Sequence, residues 1–320
     1  MSSKPILIVA GEPNSIFLEI FFKSIKFNNY KNPLIIIVSK KLLLKQMKSL
    51  GFNYKINIVD KDYINLDDLN NKKINVIDVK YNFQKTFDKI SKKSNIYIKK
   101  SFQIALKILK KKEYSKLVNG PISKKKFLQG KYFGITEYLA KKVKKDNIAM
   151  LIYNKELSVS PITTHIPLKD VHKQITKIKI INQVMLIKNF YKQIFNKTPR
   201  IAITGLNPHC ESNYKTSEEE RIIKPAIKSL IKNKYNVYGP FAADTIFMNE
   251  QIKKFDVIIG MYHDQVLTPV KTLFGFNAIN ITLGLPFIRI SPDHGPNTTM
   301  LGKNLSNPTS LIQALKFLDK

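Results

Sequence analysis

Short apolar runs alternate with amphipathic stretches along almost the whole chain. The runs Ile6–Ala10, Leu34–Ser39, Ile56–Val59, Leu117–Asn119, Ala149–Tyr153, Arg200–Thr204, Val257–Gly260 and Ala278–Thr282 are rich in Ile and Val and bounded by turn residues. That pattern predicts strands buried on both faces. Helices are predicted between them. In 98–112, Ile98, Phe102, Ala105, Leu106 and Leu109 recur at spacings of three and four and form one stripe. A long helix is predicted over 171–195, and a last one over 308–318. The helix over 217–234 opens on Ser217 followed by Glu218, Glu219 and Glu220 and closes on Lys232 and Lys234, charges that suit the helix dipole. This alternation predicts an α/β fold with mixed sheets. No repeat or low-complexity linker marks a boundary within it.

The chain carries 54 Lys and Arg against 23 Asp and Glu, a net charge of +31 over 320 residues. A charge of that size suggests nucleic acid, but its make-up argues against it. Only Arg200, Arg221 and Arg289 are arginine, whereas phosphate and base-edge recognition favours the planar fork of that side chain. The excess lies in runs such as 110–112, 124–126 and 141–145. Between Gly239 and Met300 four cations face five carboxylates. No apolar run approaches the roughly 20 residues that span a bilayer, and the stretch 5–10 is too short for a signal-peptide core. A single cysteine, Cys210, excludes an intramolecular disulfide and any multi-cysteine metal site, so a reducing, cytoplasmic setting is expected.

Candidate chemistry gathers after the predicted strands. Neither G-x-G-x-x-G nor the P-loop signature is present, so a Rossmann dinucleotide site is not expected; the first strand runs instead into Gly11-Glu12-Pro13-Asn14. Of five histidines, His172 sits in a lysine-flanked helical stretch and reads as solvated. His165, His209 and His263 each lie just beyond an apolar run, and the carboxyl ends of strands are where open α/β sheets build ligand sites. Three neutral imidazoles with an open position would suit a catalytic divalent metal, although separations of 44 and 54 residues carry no local signature. The stretch 256–295 adds Asp264, Lys271, Asn280, Arg289, Asp293 and His294. An arginine in so lysine-rich a chain implies a bidentate demand, and Lys271 with Arg289 would suit an anionic small substrate.

Several words in order resemble a known family. Gly205-Leu206-Asn207-Pro208-His209, Gly239-Pro240-Phe241-Ala242-Ala243-Asp244-Thr245, Met261-Tyr262-His263-Asp264-Gln265, the run from Asn280 to Arg289, and Asp293-His294-Gly295 are similar to the 4-hydroxythreonine-4-phosphate dehydrogenases of pyridoxal phosphate biosynthesis (the PdxA family). Weaker echoes are Gly11-Glu12-Pro13, Asn119-Gly120-Pro121-Ile122, Gly134-Ile135-Thr136-Glu137 and Thr164-His165. The resemblance implies a two-domain α/β subunit like the isocitrate and isopropylmalate dehydrogenases, with its active site in the interdomain cleft of a homodimer with shared sites. The expected first domain is 1–125 plus 292–320, and the second, with the dimer contacts and metal site, is 126–291. It implies His165, His209 and His263 as ligands of zinc, magnesium, cobalt or manganese, one of them contributed across the dimer. Thr136, Lys271, Asn280 and Arg289 would bind substrate, and Asp244 and Asp264 would support the metal or relay protons. Asp293 and His294 would border NAD or NADP.

The implied reaction oxidises the secondary hydroxyl of 4-phosphooxy-L-threonine, and the 3-oxo acid then loses carbon dioxide to give 3-amino-2-oxopropyl phosphate. Three departures from the family words leave other readings open. Ile135 stands where the family has His, the first word continues Asn14-Ser15-Ile16-Phe17-Leu18-Glu19 with two glycines and a proline lost, and Pro296-Asn297-Thr298-Thr299 replaces a Thr-Ala continuation. The alternatives are a related dehydrogenase of another phosphorylated four-carbon acid, such as phosphoerythronate, and a non-catalytic dimeric binding descendant.

Overall fold

The structure is a computed structural model that describes residues 4–128, 130, 132, 134–210, 215–275, 277–292 and 294–320. The chain runs β1 (Ile6–Val9), α1 (Phe17–Lys26), β2 (Leu34–Val38), α2 (Lys40–Ser49), β3 (Ile56–Ile58), β4 (Ile74–Asp78), α3 (Asn95–Ile108), β5 (Lys116–Asn119) and α4 (Ile135–Lys142). It continues through β6 (Ala149–Tyr153), β7 (Ser158–Thr163), α5 (Val171–Gln174), α6 (Lys177–Phe195), β8 (Ile201–Thr204), α7 (Lys224–Lys232), β9 (Val237–Phe241), α8 (Asn249–Ile252), β10 (Val257–Tyr262), α9 (His263–Phe274) and β11 (Ile279–Leu283). It closes on β12 (Ile288–Pro292) and α10 (Thr309–Leu318).

Two compact units result, residues 1–139 with 286–320, and residues 140–285. The sequence words placed the crossings at 125/126 and 291/292. The difference matters because Thr136 and Arg289 then belong to the first unit, where both are bonded to one another and Arg289 also to Asn119.

In the first unit the strand order is β3-β4-β2-β1-β5-β12, and every pair is parallel. β1 and β2 are wholly buried and carry only Ile, Leu and Val. The apolar face of α1, with Phe17, Phe21 and Phe22, is buried as well, as period-3.6 spacing requires of a helix covering a parallel sheet. In the second unit the order is β11-β6-β7-β10-β8-β9. Here β11, β6 and β7 are antiparallel neighbours, whereas β7, β10, β8 and β9 run parallel. The expected mixing of strand directions is therefore confined to this unit.

All eight sequence-predicted strands are present within two residues of their expected limits. Four more, β4, β7, β9 and β12, are diluted by Asn, Ser, Gly, Pro or Arg, and tertiary partners satisfy the polar members. In β4, for example, Asn75 is buried and donates to the carbonyls of Leu34 and Asn70. The long helix predicted over 171–195 is two helices. Ile175 and Thr176 are extended, and the Thr176 hydroxyl caps α6 by accepting from the Lys179 N–H at 3.2 Å.

Candidate active site

In the first unit, adjacent parallel strands deliver an arginine into the interior. β12 pairs with β5 so that Arg289 stands opposite Leu117, and its side chain is 1% exposed. Nε donates to Asn119 Oδ1 at 2.7 Å and Nη1 to Thr136 Oγ1 at 3.2 Å, from the end of β5 and the first turn of α4. The Asn119 carboxamide is itself fixed, because Nδ2 donates to the Gly120 carbonyl at 2.8 Å. Burial lowers the guanidinium pKa to about 10, opposed by nearby Glu137, so the group stays cationic at neutral pH. A buried, oriented guanidinium is a receptor for a carboxylate or phosphate.

The backbone beside this fork needs glycine. A Cβ on Gly120 would lie 2.3 Å from the Ala10 carbonyl, and one on Gly11, at φ +78°, would lie 2.4 Å from the Pro121 carbonyl. The word that follows Gly11 has lost glycines yet bonds internally. The Ser15 hydroxyl donates to the Glu12 carbonyl and accepts from the Phe17 N–H, opening α1. Glu19, at the end of that word, is buried and structural: it accepts from Lys23 Nζ and the Ser306 N–H. Glu12 is 2% exposed and accepts from the Ser94 hydroxyl and the Asn14 N–H. Burial raises its carboxyl to about 7 against these bonds.

In the second unit the three histidines follow the carboxyl ends of three neighbouring parallel strands, β7, β10 and β8. His165 lies two residues past β7, His263 opens α9 directly after β10, and His209 ends the loop after β8. The rings of His165 and His263 are 5.5 Å apart between centroids. His263 Nδ1 lies 2.6 Å from Asp264 Oδ1, and His209 Nδ1 lies 4.0 Å from Asp244 Oδ2. The carboxylate bonded to His263 Nδ1 favours the tautomer that leaves Nε2 for a ligand, whereas Asp244 lies beyond hydrogen-bond distance of His209. His209 adopts φ 58°, ψ 6°, a left-handed conformation that turns the chain out of the strand, and its side chain is 75% exposed. Among the described residues no three His, Cys, Asp or Glu side chains come close enough to hold a metal. The structure thus brings His165 and His263 together and leaves His209 outside that cluster. The chemistry of the pair fits a divalent cation: two imidazoles, adjacent and backed by a carboxylate at His263.

The remaining candidates separate. Asn280 sits on β11, where its Oδ1 is buried and accepts no hydrogen bond within the described structure. Lys271 is exposed in the last turn of α9. His294 Nδ1 lies 2.9 Å from the Gly295 carbonyl, while Asp293 lies outside the described residues.

Three residues that carried no candidate site role in the sequence organise these sites: Asn119, Glu219 and Gln265. Glu219 lies, as expected, in the first turn of a helical stretch, here a π-helical turn that runs on into α7, and it is wholly buried. Its carboxylate accepts from the N–H groups of Leu206 and Asn207 and from Asn207 Nδ2, each at 2.8 Å, and so ties down the loop leading to His209. Burial would raise its pKa, but these bonds outweigh it and hold it below the usual value. The only sequence signal for Asn119 and Gln265 was their membership of the words Asn119-Gly120-Pro121 and Tyr262-His263-Asp264-Gln265.

Comparison with known proteins is consistent along the whole length. Residues 29–318 match the family described as pyridoxal phosphate biosynthetic protein PdxA. A 4-hydroxythreonine-4-phosphate dehydrogenase of Sulfurihydrogenibium sp. (strain YO3AOP1) is 39% identical, over 97% of this chain and 96% of that protein. The enzyme of the same name from Wigglesworthia glossinidia brevipalpis is 35% identical over 95% of this chain and 92% of its own. The 1.25 Å crystal structure of the Klebsiella pneumoniae 4-hydroxythreonine-4-phosphate dehydrogenase superposes with a TM-score of 0.85 at 27% identity, covering 99% of this chain and 98% of that one. A terephthalate 1,2-cis-dihydrodiol dehydrogenase from Burkholderia xenovorans LB400, at 18% identity and a TM-score of 0.66, shares the fold.

Proposed function

The chain belongs to the PdxA family of pyridoxal phosphate biosynthesis and is an oxidoreductase acting on a CH–OH group, and from that premise we propose that its substrate is 4-hydroxythreonine 4-phosphate. The reaction removes a hydride from the secondary carbinol to NAD(P), and the 3-oxo acid then loses carbon dioxide to give 3-amino-2-oxopropyl phosphate. The observation that carries this reading is the family match over residues 29–318, a range that includes every candidate side chain.

The roles follow from the chemistry of each group. Arg289, aimed by Asn119 and Thr136, binds an anionic group of the substrate through its planar fork, with Lys271 as a second cation. Holding groups remote from the carbinol orients the reacting C–H bond toward the nicotinamide and lowers the entropic part of the barrier. The buried, unpartnered Asn280 Oδ1 accepts from an N–H or O–H of the substrate. His165, His209 and His263 hold the divalent metal as neutral imidazoles, with a homodimer bringing a histidine of the second subunit to complete the set. A divalent ion, when bound, acidifies the carbinol hydroxyl and stabilises the developing oxyanion. Asp264 fixes the tautomer of His263, and Asp264 and Asp244, the latter near His209, support the metal site or relay protons. His294 and Asp293 border the NAD(P) site. The single buried cysteine fits a cytoplasmic setting.

A second reading rests on Ile135, which stands at the first position of α4 beside Thr136 where the family carries histidine. Isoleucine cannot donate to a substrate oxygen, so the pocket would also suit a phosphorylated four-carbon acid lacking the amine. Turnover with each acid, NAD or NADP and added Zn²⁺, Co²⁺, Mn²⁺ or Mg²⁺ separates the readings. Formation of NAD(P)H from 4-hydroxythreonine 4-phosphate, abolished by chelation and restored by metal, is expected. A preference for phosphoerythronate would shift the assignment. No turnover of either acid by metal-loaded protein would leave the non-catalytic descendant.

A further inference from the structure

β8 and β10 are neighbours whose backbone pairing ends at Ile203 and Ile259. Beyond that rung the chain leads from β8 to the turn that carries His209 and from β10 to His263 at the start of α9. The Gln265 side chain, from the first turn of α9, turns back into the gap and is buried there. Its Oε1 accepts from the Met261 N–H at 2.7 Å and from the Thr204 hydroxyl at 3.0 Å, and its Nε2 donates to the Gly205 carbonyl at 2.9 Å. Met261 and Gly205 are the residues that would form a later rung if the register continued. The carboxamide therefore supplies an acceptor to one strand and a donor to the other, as an inserted peptide unit would. On the far side of β10 the Thr163 hydroxyl donates to the Met261 carbonyl at 2.8 Å, which ties in β7, two residues before His165.

We propose that Gln265 is a positioning residue for the metal centre: its carboxamide replaces a missing ladder rung and fixes the spacing of the strand ends that present His263 and His209. The role rests on the metal-dependent reading above. A carboxamide is required because both functions are needed at once. Glutamate has no donor for Gly205, and methionine fills the volume but leaves Met261 N–H and the Gly205 carbonyl unpaired in a buried place.

The test uses the full-length protein loaded with Co²⁺ or Zn²⁺. Affinity is read by competition with a chromophoric chelator and ligand geometry by the Co²⁺ visible spectrum, with thermal melting and circular dichroism alongside. Gln265→Met is expected to weaken metal binding about 10- to 100-fold, the range seen when groups supporting metal ligands are removed, and to alter the Co²⁺ spectrum. Thr204→Val, which removes one bond and keeps the other two, serves if the first variant does not fold, and should show a smaller change in the same direction. Tyr191→Phe is the control, because its hydroxyl bonds Ser158 at the opposite end of β7. It should lower the melting temperature without moving metal affinity. Unchanged affinity and spectrum in a folded Gln265→Met, or in Thr204→Val if that is the variant that folds, would overturn the proposal alone. Wild-type protein that binds neither metal would overturn the metal reading itself, and this role with it.

Discussion

The two candidate regions are built in opposite ways. Around Arg289 the functional side chain is itself buried and bonded, with Asn119 and Thr136 as its partners. Around the histidines the functional side chains stand in or near solvent, and the buried order lies one layer behind them, in Gln265, Thr163 and Glu219. The physical demands differ. A guanidinium gains specificity from being desolvated and held rigid before its anion arrives. An imidazole ligand must keep a lone pair accessible, so its orientation is set by the backbone that carries it and by a carboxylate on the other nitrogen.

That contrast can be broken from either side. The largest effect is expected from Arg289→Met. It removes the anion's fork and leaves the Asn119 and Thr136 oxygens without their donor, so kcat/KM should fall about 100-fold or more and the melting temperature should drop. Arg289→Lys should recover little, because a point charge cannot reproduce two directed bonds. His263→Ala should act on the metal rather than on stability. It should abolish metal retention, measured as bound zinc per chain, while apo-protein stability changes by only about 0.5 kcal/mol, because the ring is partly exposed and its carboxylate partner Asp264 is in solvent. If the histidine variant melts as early as the arginine variant, the difference drawn between the regions is wrong.

Smaller effects test the supporting groups. Asn119→Ala leaves Nε of a buried arginine unpaired at a cost of about 1–3 kcal/mol, and should raise KM about tenfold with a lesser change in kcat. Glu219 has a folded-state pKa below its unfolded value, so its stabilisation is present above about pH 4.5 and is lost as pH falls through the folded value. Glu219→Gln should therefore be less stable than wild type in urea at pH 7 and converge with it in acid. Glu12 has the opposite sign. Its pKa is raised to about 7, so the folded state holds a proton that the unfolded state releases, and stability falls as pH rises from about 4.5 to 7. Glu12→Gln should flatten that slope by roughly 2–3 kcal/mol, read from denaturation midpoints between pH 5 and 8.

Much of the fold was legible along the chain. Continuous Ile and Val runs named β1, β2 and β10 because a strand buried on both faces needs an apolar residue at every position. Strands such as β7, with Ser158, Ser160 and Pro161, were not legible. Their polar atoms are satisfied by Tyr191, Gln183 and Met150, partners that exist only after folding. The candidate site divided along the same line. Residue words marked Arg289, Thr136 and the three histidines, whereas Asn119, Glu219 and Gln265 act through bonds to positions up to 170 residues away.

By itself the sequence determined the family, the parallel-rich α/β character and the choice of arginine where a forked cation is required, since these depend on residue type and short-range pattern. Tertiary structure alone decided that Arg289 and Thr136 share the first unit, that His165 and His263 are adjacent, and that a glutamine side chain completes the ladder between β8 and β10. Those outcomes follow from hydrogen bonds made across the fold, and hydrogen-bonding partners distant in the chain leave no period in it.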